Sequence, residues 1–199
     1  GELSLTSNTS SENLFDVRLS ATFTHVSSSF TFWVFYAGAL GGEHTWKVRY
    51  NLPASGAWTY ATESSDAELT GRNGSVSIAN PSSGNRGFLV KNGRALKWEN
   101  TGDPYFVVGQ TAYALLHKNV SWTSVLDWLQ SAGFNQVRID LNSSGFQDGG
   151  QNDRWLWGGS PGSPDFTRFN LAQWDKIDQV LANGLNRGLT FEVGPKTIN

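Results

Sequence analysis

Residues 137–142 read Val-Arg-Ile-Asp-Leu-Asn, and residues 189–193 read Leu-Thr-Phe-Glu-Val. Both stretches alternate apolar and polar residues with the period of two of a β-strand. Val137, Ile139 and Leu141 therefore face one way, and Arg138, Asp140 and Asn142 the other. The same parity sets Thr190 and Glu192 opposite Leu189, Phe191 and Val193. On neighbouring strands Arg138 and Glu192 could pair. Together with Asp140 and Asn142 they would offer charged donors and acceptors to a hydroxyl-rich ligand. A structural salt bridge explains the same pair equally well, and a buried pair alone is poor grounds for function.

A second set lies in residues 143–168, a Gly- and Asp-rich segment carrying Trp155 and Trp157. A connection of this length is usually functional or disordered. Flat indoles can stack on sugar faces, and packing within the segment is the competing reading. The substrate-binding candidates are thus Arg138, Asp140, Asn142, Trp155, Trp157 and Glu192. Residues 148–153 are acidic, but their spacing matches no known Ca²⁺ loop, and a solvated turn is the better reading. His25, His44 and His117 are isolated, and the absence of Cys removes thiolate ligands, disulfides and a Cys nucleophile. No metal or cofactor is expected.

The elements that position these residues follow from the rest of the chain. Its 199 residues allow one large domain or two small ones, and 38% hydrophobic residues are enough for a core. A net charge of −2, with only 16% charged residues, gives no field for nucleic acid or an anionic membrane, so neither partner is expected. No apolar run approaches the roughly 18 residues of a membrane span. Surface polarity falls to Ser, Thr, Asn and Gly. That composition suits a secreted, extracellular protein, and the sequons at Asn8, Asn73, Asn119 and Asn142 point to a glycoprotein.

Up to residue 87 the sequence alternates with period two. Val17, Leu19, Ala21 and Phe23 share a face, as do Trp46, Val48 and Tyr50, with Gly-, Ser- and Asn-rich breaks between. Such a pattern predicts an antiparallel β-sandwich over residues 1–87. The continuous apolar and Thr run 30–36 predicts a central strand covered on both sides. A polar linker at 80–87 leads to a hairpin around Asn92-Gly93 and then a strand at 105–108. Beyond it the grammar alternates. A helix capped by Ser121 presents Trp122, Val125, Leu126 and Leu129. A second helix from Asn170 presents Trp174, Ile177, Leu181 and Leu185. Strand, helix, strand, helix, strand implies a parallel sheet with crossover helices over residues 88–199.

Several runs resemble a known family. Phe35-Tyr36-Ala37-Gly38, Trp46-Lys47-Val48-Arg49-Tyr50 and Gly56-Ala57-Trp58-Thr59-Tyr60 look like the immunoglobulin-like N-terminal sandwich of apiosidase-like glycoside hydrolases, the last matching Gly-x-Trp-x-Tyr. Asp103-Pro104, Gly109-Gln110-Thr111-Ala112-Tyr113 and Ala132-Gly133-Phe134-Asn135-Gln136-Val137-Arg138 look like the start of that family's barrel. The family usually has Gly-Asp-Thr-Ala-Trp where Gln110 and Tyr113 stand here. Phe134-Asn135-Gln136-Val137-Arg138-Ile139 also resembles clan A glycosidases, where an Arg at this place orients the nucleophile.

The resemblance implies an immunoglobulin-like β-sandwich followed by a partial, truncated (β/α)8 TIM-type barrel of about three strands. Retaining glycosidases need two carboxylates about 5 Å apart, which in related barrels sit on later strands, so no catalytic residue is assigned. The expected function is that of an N-terminal fragment of a secreted glycoside hydrolase-like protein acting on or binding polysaccharide. The alternative is a catalytically inactive structural or adhesive glycoprotein on the same scaffold. A third reading makes the sandwich a carbohydrate-binding module. Expected partners are a polysaccharide or oligosaccharide, with self-association or the rest of the barrel covering the open edges.

Overall fold

The computed structural model describes residues 1–9, 13–26, 28–141 and 154–194. Two units follow one another along the chain, Gly1–Asn85 and Arg86–Asn199.

The first unit is built from strands β1 (Glu2–Ser7), β2 (Leu19–His25), β3 (Ser28–Trp33), β4 (Phe35–Leu40), β5 (Glu43–Arg49), β6 (Gly56–Ser64) and β7 (Asn73–Ile78). They form two antiparallel sheets, ordered β1-β5-β4 and β3-β2-β6-β7. Alternate residues of both sheets meet in one core. Leu5, Trp46 and Val48 come from the first sheet, and Leu19, Ala21, Phe23 and Trp58 from the second. The Trp58 indole N–H donates to the Ala54 carbonyl at 3.0 Å, so burying this large ring strands no donor.

Residues 30–36 correct an expectation. They are not one central strand. The chain leaves the second sheet after Trp33 and enters the first at Phe35, with only Val34 buried between. Both β3 and β4 are edge strands, which is why Phe30, Trp33 and Phe35 keep exposed surface although the run is apolar.

In the second unit β8 (Leu89–Asn92), β9 (Ala95–Trp98) and β10 (Pro104–Tyr105) form a small antiparallel sheet. Asn92 pairs with Ala95, so Gly93 and Arg94 make the turn, and Gly93 takes the positive φ of 64° that this tight connection requires. Next come β11 (Gly109–Thr111), α1 (Trp122–Ser131), β12 (Gln136–Asp140), β13 (Trp157–Ser160), β14 (Ser163–Phe169), α2 (Leu171–Asn186) and β15 (Thr190–Gly194). A parallel sheet is ordered β11-β12-β15, and β13 and β14 form a separate antiparallel hairpin.

Residues 106–108 are not a strand. The Asn135 side chain holds them, donating to the Phe106 carbonyl at 2.7 Å and accepting from the Val108 N–H at 2.8 Å. The side chain thereby stands in for a strand partner. Leu126 and Leu129 of α1 and Ile177 and Val180 of α2 pack with Val137 and Ile139 of β12 in a second core. Asn170 caps α2, its side-chain oxygen accepting from the Gln173 N–H.

The expected immunoglobulin-like β-sandwich followed by a partial (β/α)8 barrel is corrected here. The described residues are mostly β-strand, in five small sheets with two helices. A barrel of this type repeats strand and helix around a closed ring with a fixed tilt and stagger. Here the parallel strands number three and β11 has only three residues. The segment between β12 and α2, expected as a loop, carries an antiparallel hairpin instead.

Candidate functional site

The parallel sheet has two unlike faces. Val137 and Ile139 are buried under the helices, so their neighbours in sequence point away from them. Register places Thr111, Arg138 and Glu192 side by side across the three strands, and Asp140 beside Gly194 one step further along. This face is polar. Arg138 Nε lies 3.5 Å from Glu192 Oε1, with the two side chains 53% and 54% exposed. Asp140 is partly buried. Asn142 lies outside the described residues, as do residues 148–153.

Gln110, where the resembling family has Asp, pairs in register with Val137 and so falls on the opposite parity from Arg138. Its amide donates to the Thr111 carbonyl at 3.1 Å. The residue of β11 that shares the polar face is Thr111. The departure from the family motif therefore leaves the row of Thr111, Arg138 and Glu192 untouched.

Arg154 was not singled out from the sequence, yet it organises the C-terminal ends of these strands. It is fully buried. Its guanidinium donates to the Tyr113 carbonyl, just past β11, and at 3.5 Å to the Asp140 carbonyl at the end of β12. One side chain thus ties two strand ends together beside Asp140. No periodicity announces such a residue. The only trace is an Arg at the head of the aromatic run Arg154-Trp155-Leu156-Trp157.

The two Trp residues are not equivalent. Trp155 is 8% exposed, and its indole N–H donates to the Gly158 carbonyl at 3.0 Å. The Trp155 carbonyl in turn accepts from the Asn170 amide at 3.0 Å, which joins the hairpin to the start of α2. Trp157 is partly buried and stacks on Phe169, with ring centroids 5.0 Å apart and an interplanar angle of 27°. It also meets Phe166 edge-on at 5.6 Å. Phe166 and Phe169 are exposed, so the aromatic surface at this end of the sheet is shared by Trp157, Phe166 and Phe169. Beside them the Thr167 hydroxyl and backbone N–H both donate to the Asp165 carboxylate, and they hold its pKa below the ordinary Asp value.

The site offers a guanidinium, two carboxylates and a Thr hydroxyl on an open face, with an aromatic cluster at the same end of the strands. Among the described residues no group of three or more His, Asp or Glu side chains is placed to hold a metal ion.

Residues 1–65 match a family model described as a domain of unknown function, DUF5060. Comparison with curated proteins returns no match. Among solved structures, the crystal structure of a candidate glycoside hydrolase from Bacteroides vulgatus ATCC 8482 is similar over 98% of this chain, with a TM-score of 0.80 and 24% sequence identity. This chain spans 40% of that protein. A likeness at this identity speaks for the fold alone. The chain shares the fold of the part of that protein that it spans.

Proposed function

We propose that this chain belongs to a secreted, apiosidase-like glycoside hydrolase-like protein and helps it hold a polysaccharide or oligosaccharide on the polar face of the parallel sheet. The observation that carries the reading is the exposed row of Thr111, Arg138 and Glu192, with Asp140 beside it. In the proposed mode Arg138 donates to sugar hydroxyls, while Asp140 and Glu192 accept from them. Charged partners make stronger hydrogen bonds than neutral ones. Trp157, with Phe166 and Phe169, supplies apolar contact to a sugar ring, and Trp155 supports that cluster from below. Arg154 acts at one remove, fixing the strand end from which Asp140 projects.

No catalytic pair is assigned among Asp140, Glu192 and the other acids. A non-catalytic, adhesive role is the second reading, and the observation favouring it is Gln110 in place of the family's Asp. The test is titration of the 199-residue chain with neutral oligosaccharides, alongside Asp140→Asn and Glu192→Gln. Saturable binding weakened at least tenfold in either variant supports the proposal. Binding that both variants retain in full overturns it. Turnover of an aryl glycoside that either variant abolishes would instead make this face catalytic.

A further inference from the structure

We propose that the outward face of the sheet β3-β2-β6-β7 is a second glycan-binding surface, taking a neutral polysaccharide with Trp33 as its stacking platform. Leu19, Ala21, Phe23 and Trp58 point into the core, so the alternate residues of the same strands point out. Register lays these out in rows. Trp33 lies opposite Ser20, which lies opposite Glu63, and Thr31 lies opposite Thr22, which lies opposite Ala61.

Trp33 is 75% exposed. Its partner across the strand is Ser20, and the outward residue before it on β3 is Thr31, so no bulky side chain flanks it in its row or on its strand. Most of its surface is open to solvent, with exposed Arg18 as the diagonal neighbour just before β2.

The rest of the face decides which ligand. Its outward strand positions are mostly Ser and Thr, with hydroxyls already ordered in pairs. Thr22 and Thr31 are 2.9 Å apart, and Thr24 and Ser29 3.1 Å. Each paired hydroxyl keeps a lone pair for a further donor. Glu63 is the one ionisable side chain among the outward positions of these strands. A face so nearly uncharged complements an uncharged ligand and attracts neither nucleic acid nor an anionic lipid surface. A second copy of the chain would bring a hydroxyl-coated face against its like, with one aromatic ring to desolvate. Protein interfaces draw their energy from several buried anchors, which this face lacks. A neutral glycan has what the face requires, apolar C–H surfaces for the indole and hydroxyls for the Thr rows.

This surface stands on the first unit and does not depend on the Arg138–Glu192 site. The test is adsorption of the 199-residue chain to insoluble cellulose, insoluble xylan and chitin, with polygalacturonate as the anionic control, for the parent, Trp33→Ala, Trp33→Tyr, and Arg138→Ala with and without Trp33→Ala. The proposal expects the parent to adsorb to at least one neutral polymer. Trp33→Ala should lose at least tenfold in affinity with an unchanged melting midpoint, and Trp33→Tyr should recover most of the loss. Adding Trp33→Ala to Arg138→Ala should cost the same factor as Trp33→Ala costs in the parent, whatever Arg138→Ala does alone, which separates this surface from the other site. The proposal is overturned if the parent binds none of the neutral polymers, if Trp33→Ala binds as well as the parent, or if Trp33→Ala only dissolves a dimer of the parent.

Discussion

Arg138 and Glu192 occupy directly opposed positions on neighbouring parallel strands, with Nε and Oε1 3.5 Å apart and more than half of each side chain in solvent. An exposed pair of this kind is worth about 0–1 kcal/mol. Replacing Arg138 by Met, or Glu192 by Gln, should therefore shift unfolding free energy by less than about 1 kcal/mol, as read by urea denaturation. A larger loss would make the pair a structural element and weaken the reading of this face as a ligand surface.

Trp155 should behave in the opposite way. It is buried, and its N–H is bonded within the hairpin. Trp155→Ala should cost about 3–5 kcal/mol, the usual loss for a buried Trp. Trp157→Ala should cost less, because part of that ring is already in contact with water. Equal losses on thermal denaturation would contradict the distinction between the two.

Gly184 sits in the buried face of α2, where a Cβ would run into the Phe191 ring of β15. In an open helix, Gly→Ala gains about 1 kcal/mol of helix propensity. Overpacking at a filled site costs about 1–3 kcal/mol. The clash should win, and Gly184→Ala should lower the melting temperature. The double variant Gly184→Ala with Phe191→Leu should recover part of the loss.

Glu2 carries a pH dependence in the first unit. Its carboxylate is bonded by Lys47 at 2.8 Å and by Arg49 at 3.0 Å, and the Lys47 bond is the largest cause of a pKa held below the ordinary Glu value. A group with a depressed folded-state pKa stabilises the fold above its unfolded pKa and loses that contribution as pH falls through the folded one. Glu2→Gln should therefore lower stability slightly at pH 7 and have no effect once the pH is well below the Glu range. The contribution is small, because all three side chains are partly in water. Melting midpoints for parent and variant at pH 7 and pH 3 check both halves of the statement.

Local pattern made much of the secondary structure legible. Strict alternation marked Leu19 to Phe23 and Trp46 to Val48 as half-buried strands, and Asn170 marked the start of α2 because its side chain can cap a helix. What depended on distant partners was not legible. Of the expected face of α2, Ile177 is buried and Trp174 and Leu181 pack against the core partly buried, but Leu185 is exposed, and Gln173, Val180 and Gly184 are buried without having been expected. The Phe191 ring favours the smallest residue on the face it covers, and nothing near Gly184 in sequence says so. The run 30–36 misled because two edge strands of different sheets, joined at Val34, have the same composition as one central strand. In the site, parity alone placed Arg138, Asp140 and Glu192 on one face. The buried Arg154 and the roles of Phe166 and Phe169 came only from the hairpin, whose fold no local period announced.

The most direct measurement of the central claim is an amide chemical-shift map of the 199-residue chain titrated with a neutral oligosaccharide that it binds. The account predicts that shifts at saturation concentrate on Thr111, Arg138, Asp140 and Glu192, with Trp157, Phe166 and Phe169 beside them. The Trp155 and Trp174 indole N–H groups, already bonded to the Gly158 and Leu156 carbonyls, should move less than that of Trp157. Shifts that leave β11, β12 and β15 unmoved while the oligosaccharide saturates the chain would contradict the claim that the polar face of the parallel sheet holds the sugar.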